Sequence, residues 1–226
     1  MKVAIVGEDP IAEELADVVT RRDGSIVSVR DADVLVAVGT SALFDLVRDG
    51  TDVPVLPIAT GKGGHVVSKP DARDALAAAM AGETRATEHF QLRIEVDGES
   101  PATALYDLTL VTDEPARISE FAVVGDGEPL GTVRSDGIVA ATPAGSAGYA
   151  RAAGGPALSP GSGLSVVPIS PFTTHPEAWV VADEVTLTVT REGDVLVVAD
   201  GEEVCSVGRE EPVAVSRTDP VTLLRP

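Results

Sequence analysis

From Ser135 to Leu158 the chain reads SDGIVAATPAGSAGYARAAGGPAL. A β-forming run, Ile138 to Ala141, meets a Thr142-Pro143 turn. Gly145, Ser146 and Gly148 follow, and an Ala-rich segment closes on Gly154, Gly155 and Pro156. A strand, a small-residue corner and a helical turn in that order suit a flat or phosphorylated ligand laid against backbone N–H groups. Small residues are needed there because a larger side chain would stand between backbone and ligand. The bland alternative is a strand-to-helix corner with Ser146 as its cap. A nucleophile elbow at Ser146 fits poorly, since Ala144 stands where that motif needs glycine.

The segments around this corner must position it, and they differ in kind along the chain. KVAIVG opens with a continuous apolar run, the mark of a strand buried on both faces. DPIAEELADVVTRR follows with Ile11, Leu15, Val18 and Val19 at helical spacing behind Asp9-Pro10. SIVSV, DVLVAVG and VPVLPIA read as further strands, and TSALFDLVRDG and DARDALAAAMAGE as helices ending at glycine. Strand alternating with helix predicts an α/β, Rossmann-like domain over residues 1–84.

From residue 85 to 226 the texture is strand-like, broken by Asp-Gly and Gly-Asp turns. HFQLRIEVDGE, ATALYDLTLVTD, RISEFAVVGDGE, GLSVVPIS, EVTLTVTREGDVLVVADGEEVCSV and VAVSR predict an all-β, sandwich-like domain. Its last residues are placed to pack back on the first domain. Glu192-Gly193-Asp194 reads as a hairpin turn between two alternating runs. Two domains of unlike class leave a cleft where a small ligand is expected.

Composition narrows the partners. With 17 basic against 36 acidic residues the net charge is −19, a field that repels nucleic acid and anionic membrane. Only Lys2, Lys62 and Lys69 are lysines, and a Lys-poor, acid-rich chain resembles proteins of salt-loving, halophilic cells. Cys205 is the single cysteine, and His65, His89 and His175 lie far apart. That pattern offers neither a disulfide framework nor metal-ligand spacing, and the histidines read as surface or loop residues. No apolar run reaches the ~18 residues of a membrane span, so a soluble, cytoplasmic protein is expected.

The residues now in view resemble the NAD kinase family. Its β domain carries Asp-Gly, a strand, T-P-x-G-S-T-A-Y, a short helix and Gly-Gly-Pro. Here these are Asp136-Gly137, IVAA, TPAGSAGY and Gly154-Gly155-Pro156. SVVPISPFTTHPEAWVV looks like its V-P-I-x-P-H-T-L stretch, VVADGEE like its late D-G-Q turn at Asp200-Gly201-Glu202, and ATALYDLTL like its A-L-N-E-V segment. The resemblance implies NAD or NADP held in the interdomain cleft. Tyr106, Asp107, Asp136, Thr142, Gly145, Ser146, Ala147, Gly148 and Tyr149 would line it, in a homo-oligomer (dimer or tetramer) assembled through the β domain.

The departures bear on catalysis. The family's first domain carries Gly-Gly-Asp-Gly-Thr, whose Asp is the expected base for the ribose 2′-hydroxyl as it attacks the γ-phosphate. With Gly39-Thr40 aligned on its Gly-Thr, Ala37 and Val38 stand where Gly and Asp belong. Val accepts no proton. Asp33 and Asp45 are the nearest acids, one before the strand and one inside the helix, and both read as solvated or capping residues. Tyr106-Asp107 replaces Asn-Glu, and Ala147-Gly148 replaces Thr-Ala. The glycine-rich stretch at 60–65, with Lys62, reads as a phosphate-facing or plain surface loop.

The expectation is a dinucleotide-binding protein whose ATP-dependent phosphoryl transfer is lost or strongly weakened. It has no catalytic residue of the usual kind. The alternative is a working kinase, using ATP and Mg, that recruits Asp107 or Asp136. A dehydrogenase is disfavoured because VGEDPIAEEL has one glycine where the dinucleotide fingerprint needs three.

Overall fold

The computed structural model describes residues 1–59, 66–112, 118–191 and 194–226. The chain forms two units, one from Met1–His89 with Pro220–Pro226, the other from Phe90–Asp219.

In the first unit β1 (Lys2–Val6), α1 (Ile11–Arg21), β2 (Ser25–Ile26), β3 (Val34–Val38), α2 (Thr40–Arg48), β4 (Val55–Ile58) and α3 (Ala72–Ala81) alternate along the chain. The strands lie parallel in the order β2-β1-β3-β4, and Leu223 of the returning chain end pairs with Val55. Val34, Val36 and Val38 of β3 pack in one cluster with Leu15 and Val19 of α1 and Leu76 and Ala79 of α3. The two-residue side-chain period turns Leu35 and Ala37 to the opposite face. A strand sandwiched in this way must be apolar throughout, which is why VLVAV shows no alternation. The SIVSV segment departs from expectation. Only Ser25–Ile26 is strand, both residues are exposed, and a 3₁₀ turn takes Val29–Asp31.

The second unit holds β6 (Glu99–Ala104), β7 (Asp107–Thr112), β8 (Ser119–Gly125), β9 (Glu128–Ser135), β10 (Gly137–Ala141), α4 (Tyr149–Ala152), β11 (Leu164–Ile169), β12 (Trp179–Val181), β13 (Glu184–Val189), β14 (Val195–Ala199) and β15 (Glu202–Val207), with β5 (Arg85–Val96) from Phe90 onward and β16 (Pro212–Arg225) up to Asp219. One antiparallel sheet runs β12-β11-β10-β7-β14-β15. The other runs β16-β13-β8-β9, with β5 on β16 and β6 on β5. Alternate residues of both sheets share one core: Leu92 and Ile94, Leu108 and Leu110, Phe121 and Val123, Val185 and Leu187, Val213 and Val215. The fold is thus an α/β unit with a β-sandwich, the class read from the sequence.

β10 is buried on both faces. Ile138 and Ala140 enter the sandwich core, while Val139 and Ala141 pack beneath Ala150 of α4 with Val167. Three hairpins turn on Asp-Gly pairs with positive φ: Asp97-Gly98 (53° and 81°), Asp126-Gly127 (50° and 80°) and Asp200-Gly201 (51° and 87°). Two successive left-handed residues match the strand twist, and Asp-Gly tolerates them best.

Two further readings change. The strands flanking Glu192-Gly193-Asp194, β13 and β14, belong to opposite sheets, so they form no hairpin; Glu192 and Gly193 themselves lie outside the described residues. His89 is buried within β5 rather than on the surface. His65 and Lys62, with the rest of 60–65, lie outside the described residues.

Candidate functional site

The corner after β10 is built by Thr142. Its hydroxyl donates to the Leu105 carbonyl at 2.7 Å and accepts from the Gly145 amide at 3.2 Å. Its own amide donates to the Tyr106 carbonyl at 2.9 Å, and its carbonyl accepts from Ser146 at 2.8 Å. Ser146 Oγ donates to the Pro143 carbonyl and accepts from the Leu158 amide, both at 2.9 Å. Thr142 and Ser146 are almost wholly buried, at 0% and 1% exposure. Their hydroxyls shape the corner from inside and do not line its surface. Exchanging Thr142 for Val should lower stability by about 2–3 kcal/mol, since it leaves the Leu105 carbonyl and Gly145 amide buried without their partner. Urea unfolding of the variant checks this.

The segment that Thr142 grips, residues 105–107, is held from its other side by Asp200. The Asp200 carboxylate accepts the amides of Leu105, Tyr106 and Asp107 at 2.7, 2.7 and 3.1 Å. The Asp200 amide in turn donates to the Asp107 carbonyl at 2.9 Å. In the sequence Asp200 marks only the turn Asp200-Gly201-Glu202. Its signal was available in the left-handed Asp-Gly pair, which brings one strand end over the start of another.

Asp107, half-buried at the start of β7, sits beside that carboxylate. Burial pushes its pKa up to about 6, the nearby Asp200 charge pushes the same way, and a Thr109 hydrogen bond opposes both. Near neutrality this carboxyl exchanges its proton readily, so it can act as acceptor or donor toward a ligand.

Of the other expected residues, Ala147 and Tyr149 are exposed and Gly148 half-exposed, with the Gly148 amide bonded to the Gly145 carbonyl at 2.8 Å. These three form the accessible rim. Tyr106 is half-buried between the Asp200 and Thr142 bonds. Asp136 stands apart. β10 pairs Ala141 with Asp107 and Gly137 with Val111, so Asp136 lies at the far end of the strand pair, about 20 Å of strand away from Thr142. Within one chain the two carboxylates of the alternative reading are not brought together.

The first unit has its own concavity, a cleft of about 560 Å³ lined by Val6, Gly7, Glu8, residues 38–42 and Asp45. It lies at the carboxyl ends of the paired strands β1 and β3, where the chain leaves β1 toward β2 and then crosses back to β3. Ligands of open α/β sheets bind at such reversal points. Gly39 begins α2 with φ of 94°, a backbone that favours glycine, and Val38 beside it is buried and aliphatic. Glu8, which belongs to no motif in the sequence, and Asp45, expected to be solvated or capping, are the carboxylates of this cleft. No basic residue lines it among the described residues. No group of three or more His, Cys, Asp or Glu suited to a metal ion occurs among the described residues either.

A model of the ATP-NAD kinase C-terminal domain matches residues 105–223. The NAD kinase of Methanopyrus kandleri is 30% identical over 159 residues, covering 68% of this chain and 58% of that protein. The Thermoplasma acidophilum NAD kinase is 30% identical over 173 residues, with 75% and 64% covered. The chain therefore spans about three fifths of the length of these relatives. Among solved structures, an NAD kinase from Archaeoglobus fulgidus in complex with ATP superposes with a TM-score of 0.78 at 21% identity, covering 99% of this chain and 93% of its own. Yeast NADH kinase complexed with NADH gives 0.78 at 16% identity, covering 100% and 83%; at such identities both speak to fold alone. The matched region starts at Leu105, under the Asp200 carboxylate, and runs through the corner to the returning strand, and on it the chain belongs to the NAD kinase family.

Proposed function

We propose that the chain binds NAD, NADP or a related nucleotide at the rim formed by Tyr106, Asp107, Ala147, Gly148 and Tyr149, over the buried corner of Thr142, Gly145 and Ser146. In this reading its ATP-dependent 2′-phosphoryl transfer is lost or strongly weakened. The observation that carries it is Val38, buried and aliphatic beside Gly39 at the strand reversal, while the corner after β10 keeps its backbone architecture. A positioned general base contributes about 10²–10⁴ in rate, and Val supplies none. Glu8 and Asp45 in the same cleft add negative charge where a triphosphate would need the opposite. Support for a nucleotide ligand comes from the family and from the ATP and NADH held by its solved neighbours.

Calorimetric titration with NAD and NADP, beside a coupled assay for NADP formation from NAD and ATP, tests both halves. The expected result is saturable binding with turnover at least ~10²-fold below that of the Methanopyrus kandleri enzyme assayed in parallel. Turnover matching that enzyme would overturn the catalytic half, and absence of nucleotide binding would overturn the other.

A second reading is favoured by one observation, the carboxyl of Asp107 poised near neutrality. It is a working kinase with a displaced base. In that case Asp107→Asn or Asp136→Asn abolishes NADP formation while nucleotide still binds. Homo-oligomeric assembly and cytoplasmic residence belong to the same family reading, and light scattering in high salt tests the former.

A further inference from the structure

Residues 105–107 have six backbone polar groups, and two residues, Asp200 and Thr142, partner all six through their side chains and their own amides. The three amides go to the Asp200 carboxylate. The Asp107 carbonyl takes the Asp200 amide, and the Leu105 and Tyr106 carbonyls take the hydroxyl and amide of Thr142. Buried backbone groups must be partnered, yet here the partners come from the turn after β14 and the corner after β10, distant in sequence. The segment that projects Tyr106 and Asp107 is therefore fixed before any ligand arrives, which removes the ordering cost that a mobile loop would bring to binding.

A second Asp-Gly turn uses the same device elsewhere. Asp126 accepts the amides of Ala182, Asp183 and Glu184 at 2.7, 2.9 and 3.1 Å, and it projects no residue of the candidate site. It is an internal control for a purely structural clamp.

We propose that Asp200 is the positioning residue of this binding site: it holds residues 105–107 in their ligand-ready backbone and, as the carboxylate beside Asp107, governs whether Asp107 meets a ligand as donor or acceptor. The inference rests on the binding reading above and extends it to the control of that site. Around Asp107, Asp200 lies across the turn, Thr109 follows on β7 and Ala141 stands opposite on β10. Asp200 is the charged group that acts on its titration.

The test compares Asp200→Asn with Asp126→Asn. Carboxyl-carbon NMR follows Asp107 in the ligand-free protein, and calorimetry follows NAD affinity from pH 5 to 8. In Asp200→Asn the Asp107 midpoint should move down from about 6, and NAD affinity should fall at least tenfold with an altered pH profile. Asp126→Asn should leave both within twofold. An unchanged Asp107 midpoint in Asp200→Asn, or equal loss of affinity in the two variants, would overturn the proposal. If Asp200→Asn does not fold, Asp200→Glu keeps the charge but misplaces the acceptors. It should then titrate Asp107 as wild type does and still bind NAD more weakly; wild-type affinity would overturn the proposal. Should the wild-type protein bind no nucleotide, the binding reading falls, while the NMR titration still decides whether Asp200 controls Asp107.

Discussion

Gly145→Ala should lower the stability of the second unit by about 2–4 kcal/mol and abolish the nucleotide binding proposed for the corner. A Cβ on Gly145 would stand 2.1 Å from the Tyr106 carbonyl oxygen, 2.5 Å from its carbon and 2.8 Å from its Cα. Every one of those atoms is backbone, so no rotamer change relieves the clash. The backbone is also pinned, by Asp200 on the amides and Thr142 on the carbonyls. The strain must therefore spread into the segment that carries Tyr106 and Asp107. Gly148 is the comparison: a Cβ there meets only the Gly145 carbonyl, at 3.1 Å, and Gly148→Ala should shift stability by less than about 1 kcal/mol. Urea unfolding and NAD calorimetry on both variants decide. If Gly145→Ala matches wild type in midpoint and affinity, the close approach of corner and segment is not what fixes this site.

That close approach explains how much of the site was legible. Glycine at 145 and the Thr142-Pro143 turn announce a corner because their chemistry is local. The three Asp-Gly turns announce hairpins for the same reason, each needing two left-handed residues in succession. β1, β3 and β4 read as buried strands because apolar runs without alternation leave no solvated face. What did not read out is what depends on partners distant in sequence. EVTLTV and DVLVVA alternate alike whether they pair or cross between sheets, so β13 and β14 looked like a hairpin. His89 precedes Phe90 in a strand whose burial is set by its neighbours, and polarity alone misplaced it. Thr142 and Ser146 were expected on the ligand face, but their hydroxyls close the corner from within. Asp136 was grouped with the corner by motif order, whereas a strand carries residues six positions apart to opposite ends. Asp200 reaches residues more than ninety positions earlier, so its Asp-Gly turn is legible in the sequence while the identity of the amides it holds is not.

Asp107→Asn should stabilise the ligand-free protein at neutral pH, and the sign follows from its titration. The carboxyl ionises near 3.9 in an unfolded chain and near 6 in the folded one. The folded state thus holds the proton more tightly, and the ionised group opposes folding. The opposition is absent below about pH 4, where both states are protonated, and complete above about pH 7, where both are ionised. A shift of about two units corresponds to up to about 3 kcal/mol, with about half of it present at pH 5. Asn keeps the shape and the acceptor for Thr109 but carries no charge against Asp200. Its advantage over wild type in urea unfolding should therefore be largest at pH 8 and shrink steadily toward pH 5. A variant less stable than wild type at pH 8 would mean that the Asp107 carboxylate is a net stabilising partner, contrary to its burial beside a second anion. The same pair of proteins addresses recognition: Asn offers a donor at every pH, so NAD affinity that depends on Asp107 as donor becomes flat in the variant while wild-type affinity declines above pH 6. A parallel decline in both would assign the donor role to another group. The carboxylate pair would then be a feature of the fold that the ligand does not read.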